Sequence, residues 1–358
     1  MLVLGILVVL GLAARSLFGS ANRPVFLVAI LIILLLMSGL RHESVGTDAV
    51  HYKDIFTSFI GTEYSSVESM ISMQKEPVFY MFAWGFARLI PDVHVWFAFV
   101  SLVYLIGIAL VCYWESPDYP FSILYVFCMG MFFFSLTGLR QSLAMGIVLC
   151  SYYFMVKRKL IPFLLLVFLA SRFHRTAWIV LAVYPIVQLK AGWPRLLIGL
   201  AAFMIVLAFR DRIGTWMLNA IPSQFVDSRI SNFASRTERL TASGFIIKSA
   251  MFVFCLRYRK LVVEDVPHRE ALYNLASVGL LFQAASISIA EFFRFALYFD
   301  WSYMVLIPIC IQYEDGEKSY EFLRIVLMTA FIAYFFYSTI SSYGVTPYIF
   351  FWAKPLIG

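Results

Sequence analysis

Charge is scarce in this chain. Only 14% of its 358 residues are Asp, Glu, Lys or Arg, against about 25% in a soluble globular domain. Apolar residues make up 62% and aromatics 18%, for a mean hydropathy of +0.84. One soluble core cannot bury that excess, so the bilayer has to serve as solvent. Paired cysteines are missing as well: Cys112, Cys128, Cys150, Cys255 and Cys310 each sit in an apolar run without partner spacing. That pattern argues against a disulfide framework or a zinc site, and for small apolar side chains within helices. There is no Walker loop, no Gly-x-Ser-x-Gly elbow, no His-Glu-x-x-His and no haem spacing. ATP hydrolysis, serine-hydrolase chemistry and zinc proteolysis therefore lack their residues. No internal duplication is visible, which weighs against transporter folds built from repeats. No basic residue precedes the first apolar run, and Arg15 follows it. That polarity is wrong for a cleaved signal and reads as a short first helix with its N-terminus outside. The net charge of +7 reads as positive-inside bias, not as a nucleic-acid footprint.

Long hydrophobic runs are abundant. Candidate spans cover residues 2–14, 25–40, 78–90, 93–113, 121–136, 143–156, 161–170 with 177–189, 196–209, 245–256, 272–290, 295–311 and 325–340. A crossing helix needs about 20 apolar residues, or about 17 at the short end, and several of these are shorter. The expectation is one all-α polytopic membrane domain over 1–358, with about 11–13 hydrophobic segments. Some are broken or re-entrant around an outward-facing polar cavity.

Compact basic turns at Lys157-Arg158-Lys159, Lys190 with Arg195, Arg257-Tyr258-Arg259-Lys260 and Lys318 with Arg324 belong in the cytoplasm. Parity then puts Arg140, the Arg172/Arg175 segment, the 210–243 loop, Glu291 to Arg294 and the C-terminal tail on the other face. Arg15 and Arg23 send the 41–76 loop outside too. Counting 78–90 and 93–113 as crossings conflicts with an outer Arg140. One segment between 41 and 136 is therefore re-entrant, or a crossing is missing.

The outward loops are rich in arginine and poor in lysine: Arg41, Arg140, Arg172, Arg175, Arg210, Arg212, Arg229, Arg236, Arg239 and Arg294. Guanidinium matches phosphate oxygens and keeps its charge when partly desolvated. Its enrichment where positive charge is disfavoured implies a bound anion, for which a polyprenyl diphosphate is the natural candidate.

The polar motifs each have a plain structural reading beside a chemical one. Gly46-Thr47-Asp48 followed by Tyr52 makes a capping turn for a short interfacial helix over 49–60, or presents one carboxylate at the membrane surface. Lys75-Glu76-Pro77 is ordinary helix-start chemistry, or supplies a second outward carboxylate. Gly138-Leu139-Arg140-Gln141 is a tight hairpin with a snorkelling arginine, or an ionisable site at membrane depth. Ser171-Arg172-Phe173-His174-Arg175 interrupts one long apolar stretch, as a hairpin tip or as a break lining a wet cavity. His174, set between two arginines, suits a base or hydrogen-bond acceptor. The 225–239 segment is a solvated amphipathic helix or a diphosphate clamp using Arg236 and Arg239. Glu291 and Arg294 form an i,i+3 pair, or Arg294 meets substrate.

The ordered set resembles the EpsG-like branch of the Wzy-type polysaccharide polymerases. It consists of Gly39-Leu40-Arg41, Val45-Gly46-Thr47-Asp48 with Tyr52, Glu76-Pro77 before Phe79, Leu139-Arg140-Gln141 with Ala144, Phe173-His174 followed by Thr176-Ala177, and Arg294 followed by Tyr298-Phe299. The 210–243 loop matches no motif. The resemblance implies a multi-pass glycosyltransferase of the bacterial inner membrane. It would polymerise undecaprenyl-diphosphate-linked oligosaccharides into O-antigen, capsule or exopolysaccharide on the outer face. No cofactor or metal is implied; a chain-length regulator is a possible membrane partner. Catalytic candidates are Asp48, Glu76, His174 and Arg140, with Arg41, Tyr52, Gln141, Arg172, Arg175, Arg236, Arg239 and Arg294 on the diphosphate or sugar. Three rivals remain open: a polyprenyl-phosphate-sugar glycosyltransferase, a membrane O-acyltransferase, and a lipid-linked oligosaccharide flippase.

Overall fold

The computed structural model describes residues 23–188, 212, 242–287 and 291–353. The expected segments 2–14 and 196–209, and most of the 210–243 loop with Arg210, Arg229, Arg236 and Arg239, lie outside the described residues. Among the described residues there are fourteen α-helices and no strand, only an isolated bridge between Arg41 and Phe350. We number them α1 (Arg23–Gly39), α2 (Ala49–Phe59), α3 (Tyr64–Ser72), α4 (Pro77–Leu89), α5 (Val93–Glu115), α6 (Tyr119–Cys128) and α7 (Met131–Thr137). Then follow α8 (Leu139–Val156), α9 (Leu160–Phe173), α10 (Ile179–Val187), α11 (Ser243–Asp265), α12 (Glu270–Ala285), α13 (Phe292–Ile311) and α14 (Glu317–Tyr337). The chain is an all-α polytopic membrane protein.

Four of these helical stretches are long and apolar enough to cross a bilayer: Val93–Glu115, Leu139–Val156, Phe292–Ile311 and Glu317–Ser341. The pair α6 and α7, bent by 50°, passes the same test together and counts as a fifth where it is taken as one span. Pro24–Gly39, Leu160–Phe173 and Arg175–Val187 are shorter apolar helices. The run expected at 78–90 is α4, of 13 residues. At 1.5 Å per residue that is roughly 20 Å, short of a hydrocarbon core of about 30 Å.

Contacts group the described chain into two units, Met1–Leu181 with Glu314–Gly358, and Ala182–Tyr313. In the first, α5 packs on α1 and α8, and α9 packs on α8. The α5/α8 crossing is close because both helices present glycine. A Cβ on Gly107 would lie 2.6 Å from the Gly146 carbonyl oxygen, and a Cβ on Gly146 2.6 Å from the Val103 carbonyl oxygen. Small residues at such crossings let helix backbones approach in lipid.

Capping chemistry sets the ends. The Asp92 carboxylate accepts from the backbone N–H groups of His94 (2.8 Å) and Val95 (3.1 Å) to start α5. Asp118 accepts from Phe121 N at 3.1 Å to start α6, and also from Arg324 Nε of α14 at 2.6 Å. Gly130, at φ +81°, opens the break between α6 and α7. Thr339 Oγ1 donates to the Cys128 carbonyl freed there, at 2.7 Å.

The geometry removes the parity conflict. Lys157-Arg158-Lys159 joins α8 to α9, so the start of α8 and the end of α9 share the opposite end of the bundle. At the other end of α8, Tyr152 OH donates to Glu115 Oε1 at 3.1 Å. The C-terminus of α5 therefore lies at the same end of the bundle as the 157–159 turn, and its N-terminus at the opposite end. Ser38 and Ser101 share a short hydroxyl–hydroxyl hydrogen bond, and a Cβ on Gly39 would touch Ala98. The end of α1 thus lies beside the start of α5, and the chain from residue 40 to 92 leaves from and returns to that same end of the bundle. Both ends of α4 lie at one end of the bundle, and the bent pair α6 and α7 is what leads the chain from the end of α5 to the start of α8.

Helices α2 to α4 form an outer cap. Tyr52, Phe56, Phe59, Val67, Ile71, Phe79, Tyr80, Ala83 and Ala87 close one apolar cluster with Trp96, Phe97 and Val100 of α5 and Leu139 and Leu143 of α8. At about 1.5–3 kcal/mol per buried large side chain, this cluster is what holds the cap on the bundle.

In the second unit α11, α12 and α13 pack on one another. Lys248 Nζ of α11 donates to Asp300 Oδ2 of α13 at 2.5 Å and to Gln283 Oε1 of α12 at 2.6 Å. Arg259 Nη2 pairs with both oxygens of Glu270, at 2.8 and 2.9 Å.

Candidate functional site

The charged residues of the first unit converge on Glu76. Pro77 opens α4, and its fixed φ suits a first helical turn. Glu76, at the N-cap, spends its side chain elsewhere than on the cap. Its Oε2 accepts from Arg140 Nη1 at 2.5 Å. Its Oε1 lies 2.8 Å from His174 Nδ1, off the line of a well-aligned hydrogen bond, and accepts from the Arg175 backbone N–H at 3.3 Å. Glu76 is only 7% exposed. Burial alone would raise its carboxyl, but the His174 ring, the Arg140 guanidinium and the Arg175 N–H outweigh it and lower it to about 2. The carboxylate is thus a fixed anion, not a group poised to exchange a proton near neutral pH.

Arg140 stands in the first turn of α8, presented by the Gly138 break. A Cβ on Gly138 would meet the Phe134 ring at 2.7 Å. Arg140 Nε donates to Tyr52 OH at 3.1 Å, and its guanidinium lies 6.0 and 5.8 Å from the ring centres of Tyr52 and Tyr80. Burial pushes the Tyr52 phenol up, Arg140 pulls it down, and the Asp48 and Glu76 charges push it up again. His174 sits where α9 ends, with extended backbone (φ −152°, ψ 119°) before the 3-10 turn Arg175–Trp178. That break turns the ring inward to Glu76 while Arg172 and Arg175 remain exposed. The Nε2 atom of His174 is buried and has no hydrogen-bond partner among the described residues.

Asp48 does occupy the N-cap of α2, but its side chain makes no capping bond and is exposed. It sits one turn before Tyr52, whose N–H donates to its carbonyl at 3.2 Å. The loop before it is held from the far end of the chain. Gly46 N donates to Gly344 O at 2.9 Å, and Thr47 N to both Tyr343 O and Thr137 Oγ1, at 3.1 and 3.0 Å. Thr137 Oγ1 donates in turn to Tyr343 O at 3.0 Å. Gly46 has φ +107°, and a Cβ there would lie 2.8 Å from Leu136 O, so this turn requires glycine.

The sequence-expected residues therefore divide. Glu76, Arg140, His174 and Tyr52 form one connected group, with Asp48 beside Tyr52 and exposed Arg172 and Arg175 flanking His174. Gln141 follows Arg140 and is buried. Arg41 is fully buried, 4.4 Å from the Phe97 ring centre, and makes no recorded contact with that group. Arg294 pairs with Glu291 at 3.1 Å in the second unit. Arg236 and Arg239 lie outside the described residues.

Sequence reading missed the Tyr80 ring, the Arg175 backbone N–H and the Lys248–Gln283–Asp300 cluster. An aspartate eight residues into a crossing helix was the available signal for the last, because an ionisable group at that depth needs a partner. No curated protein and no solved structure matches the chain. One family model, described as the EpsG family, matches residues 25–350, a stretch that takes in every motif from Arg41 to Arg294. The chain belongs to the EpsG family, a Wzy-like, polymerase-type family.

Proposed function

We propose that this protein is a membrane glycosyltransferase that polymerises undecaprenyl-diphosphate-linked oligosaccharide repeat units on the outer face of the bacterial inner membrane. The observation that carries the reading is the Glu76 carboxylate bound by Arg140 and facing His174, with His174 Nε2 left without a partner among the described residues. An acceptor sugar hydroxyl attacks the anomeric carbon of the donor. The new C–O bond forms as the bond from that carbon to the diphosphate oxygen breaks, and undecaprenyl diphosphate leaves with the electron pair. The hydroxyl proton goes to His174 Nε2 as general base.

Glu76 orients the ring through Nδ1 and stabilises the imidazolium that forms, the role a buried carboxylate plays toward a catalytic histidine. Its own low pKa makes it a poor base. Asp48, exposed and free of a capping bond, is the second carboxylate available to the acceptor sugar. The charge on the leaving diphosphate is met by Arg140, held in place by Tyr52 and Glu76, and by exposed Arg172 and Arg175. Donors fixed before the reaction stabilise developing charge without reorganising.

Deleting the protein and analysing surface polysaccharide by gel tests this reading: long chains vanish and lipid-linked single units accumulate. Reconstitution with a lipid-linked repeat unit separates the rivals. Products longer by one sugar from a monosaccharide lipid donor, or translocation without new glycosidic bonds, would overturn it.

A further inference from the structure

Arg41 is the largest charged side chain the fold buries completely, with none of its surface exposed. Among the described residues no carboxylate pairs with it. Its Nη1 donates a long hydrogen bond of 3.4 Å to Ser38 Oγ, which shares a hydrogen bond with Ser101 Oγ. One face of the guanidinium lies on the Phe97 ring. Nε and Nη2 are buried and have no hydrogen-bond partner among the described residues.

The enclosure is built from both ends of the first unit. Arg41 bridges to Phe350, His42 N donates to Ile349 O at 2.8 Å, and Phe351 N donates to Leu40 O at 2.9 Å. Tyr348 OH donates to Met37 O over the same spot. Burial pulls the guanidinium down, but only to about 10, the nearby Tyr348 phenol pushing it back up. It is a cation at any physiological pH.

A buried cation without a counter-charge is strongly destabilising, costing several kcal/mol even after relaxation. Two N–H donors on one edge of a planar fork, with the Ser38 hydroxyl on the third nitrogen and an aromatic face behind, make an anion site. The carboxylates in the neighbouring loop are committed elsewhere: Glu43 pairs with Lys53 at 2.7 Å. A lipid-linked diphosphate carries bulk and charge that this closed setting does not suit.

We propose that Arg41 holds a small monovalent anion of chloride type, bound at Nε and Nη2 as the counter-ion that lets the 41–47 loop dock under residues 343–351. The site is structural, distinct from the Glu76 group, and the inference does not depend on the proposed reaction. Melting the purified full-length protein in detergent tests it, in potassium chloride against potassium gluconate and potassium phosphate at equal ionic strength.

The expected result is a saturable rise of the midpoint in chloride, about 2 °C at ten times the dissociation constant, with bromide acting likewise. Arg41→Met removes the charge that needs the ion and abolishes the difference between chloride and gluconate. Should that variant fail to purify, Ser38→Ala takes its place and shifts the chloride titration to higher concentration. Equal melting of the unchanged protein in chloride and gluconate overturns the proposal. So does a chloride response that survives Arg41→Met. A response to phosphate alone overturns it as well and reassigns Arg41 to a phosphate headgroup.

Discussion

Glu76 and Arg140 stand 64 residues apart in the chain and meet at 2.5 Å. One is brought by the turn before an interfacial helix, the other by the first turn of a crossing helix, and His174 from a third element completes the contact. The consequences of that meeting are separable by experiment.

Removing one partner of a buried ion pair leaves the other uncompensated, at about 3–5 kcal/mol. Glu76→Gln and Arg140→Met are each expected to lower the detergent melting point. The double variant is expected to recover part of that loss, because neither charge is stranded. A double-mutant cycle on thermal midpoints checks this, and strictly additive losses would count against the pair.

His174 separates chemistry from folding. His174→Gln is expected to keep the fold, within about 1 kcal/mol by melting, and to abolish long polysaccharide chains while single lipid-linked units persist. Normal chain-length ladders from that variant would remove the histidine from the mechanism.

Acid should act on Glu76 late. Its folded pKa is depressed from 4.5 to about 2, so its stabilising contribution is fully present above pH 4.5 and is lost as pH falls toward 2. The whole contribution is on the order of 3 kcal/mol. Unfolding followed between pH 6 and pH 2 should therefore show Glu76→Gln losing less stability than the unchanged protein below pH 4.5, and no divergence above it. Divergence beginning at pH 6 would mean that the carboxyl is not held down.

The α5/α8 crossing should resist any enlargement. Gly107→Ala or Gly146→Ala puts a methyl 2.6 Å from a backbone carbonyl oxygen, and is expected to cost about 1–3 kcal/mol. Gly85→Ala is the control, since nothing lies within 4 Å of a Cβ there. Melting points of the three variants decide it.

Much of this arrangement was legible from residue order alone. A Gly-Thr-Asp turn, a Glu-Pro start, an Arg-Gln pair after glycine and a histidine interrupting an apolar run mark four helix ends, and the fold gathers them. Periodicity did not disclose that α4 returns to the face it left. Its apolar composition matches that of a crossing, and only its partners show where its ends lie. The Asp48 capping role was half right: the residue holds the N-cap, but its side chain is spent on nothing there. Lys248 and Asp300 stayed hidden because each lies alone within an apolar stretch, and pairing between distant helices leaves no local trace.

The hydrogen bond from Tyr348 to Met37 spans 311 residues, and its neighbours tie Gly46 and Thr47 to Gly344 and Tyr343. Translation runs at about 5–20 residues per second, so the Gly46-Thr47-Asp48 turn waits roughly 15–60 s on the ribosome before the segment that shapes it exists. Nascent chains halted before residue 343 would carry every helix named above and still lack the backbone partners of the 46–47 turn. Ordering of this turn is thus deferred until residues 343–351 have been made, a timing set by the order of the chain.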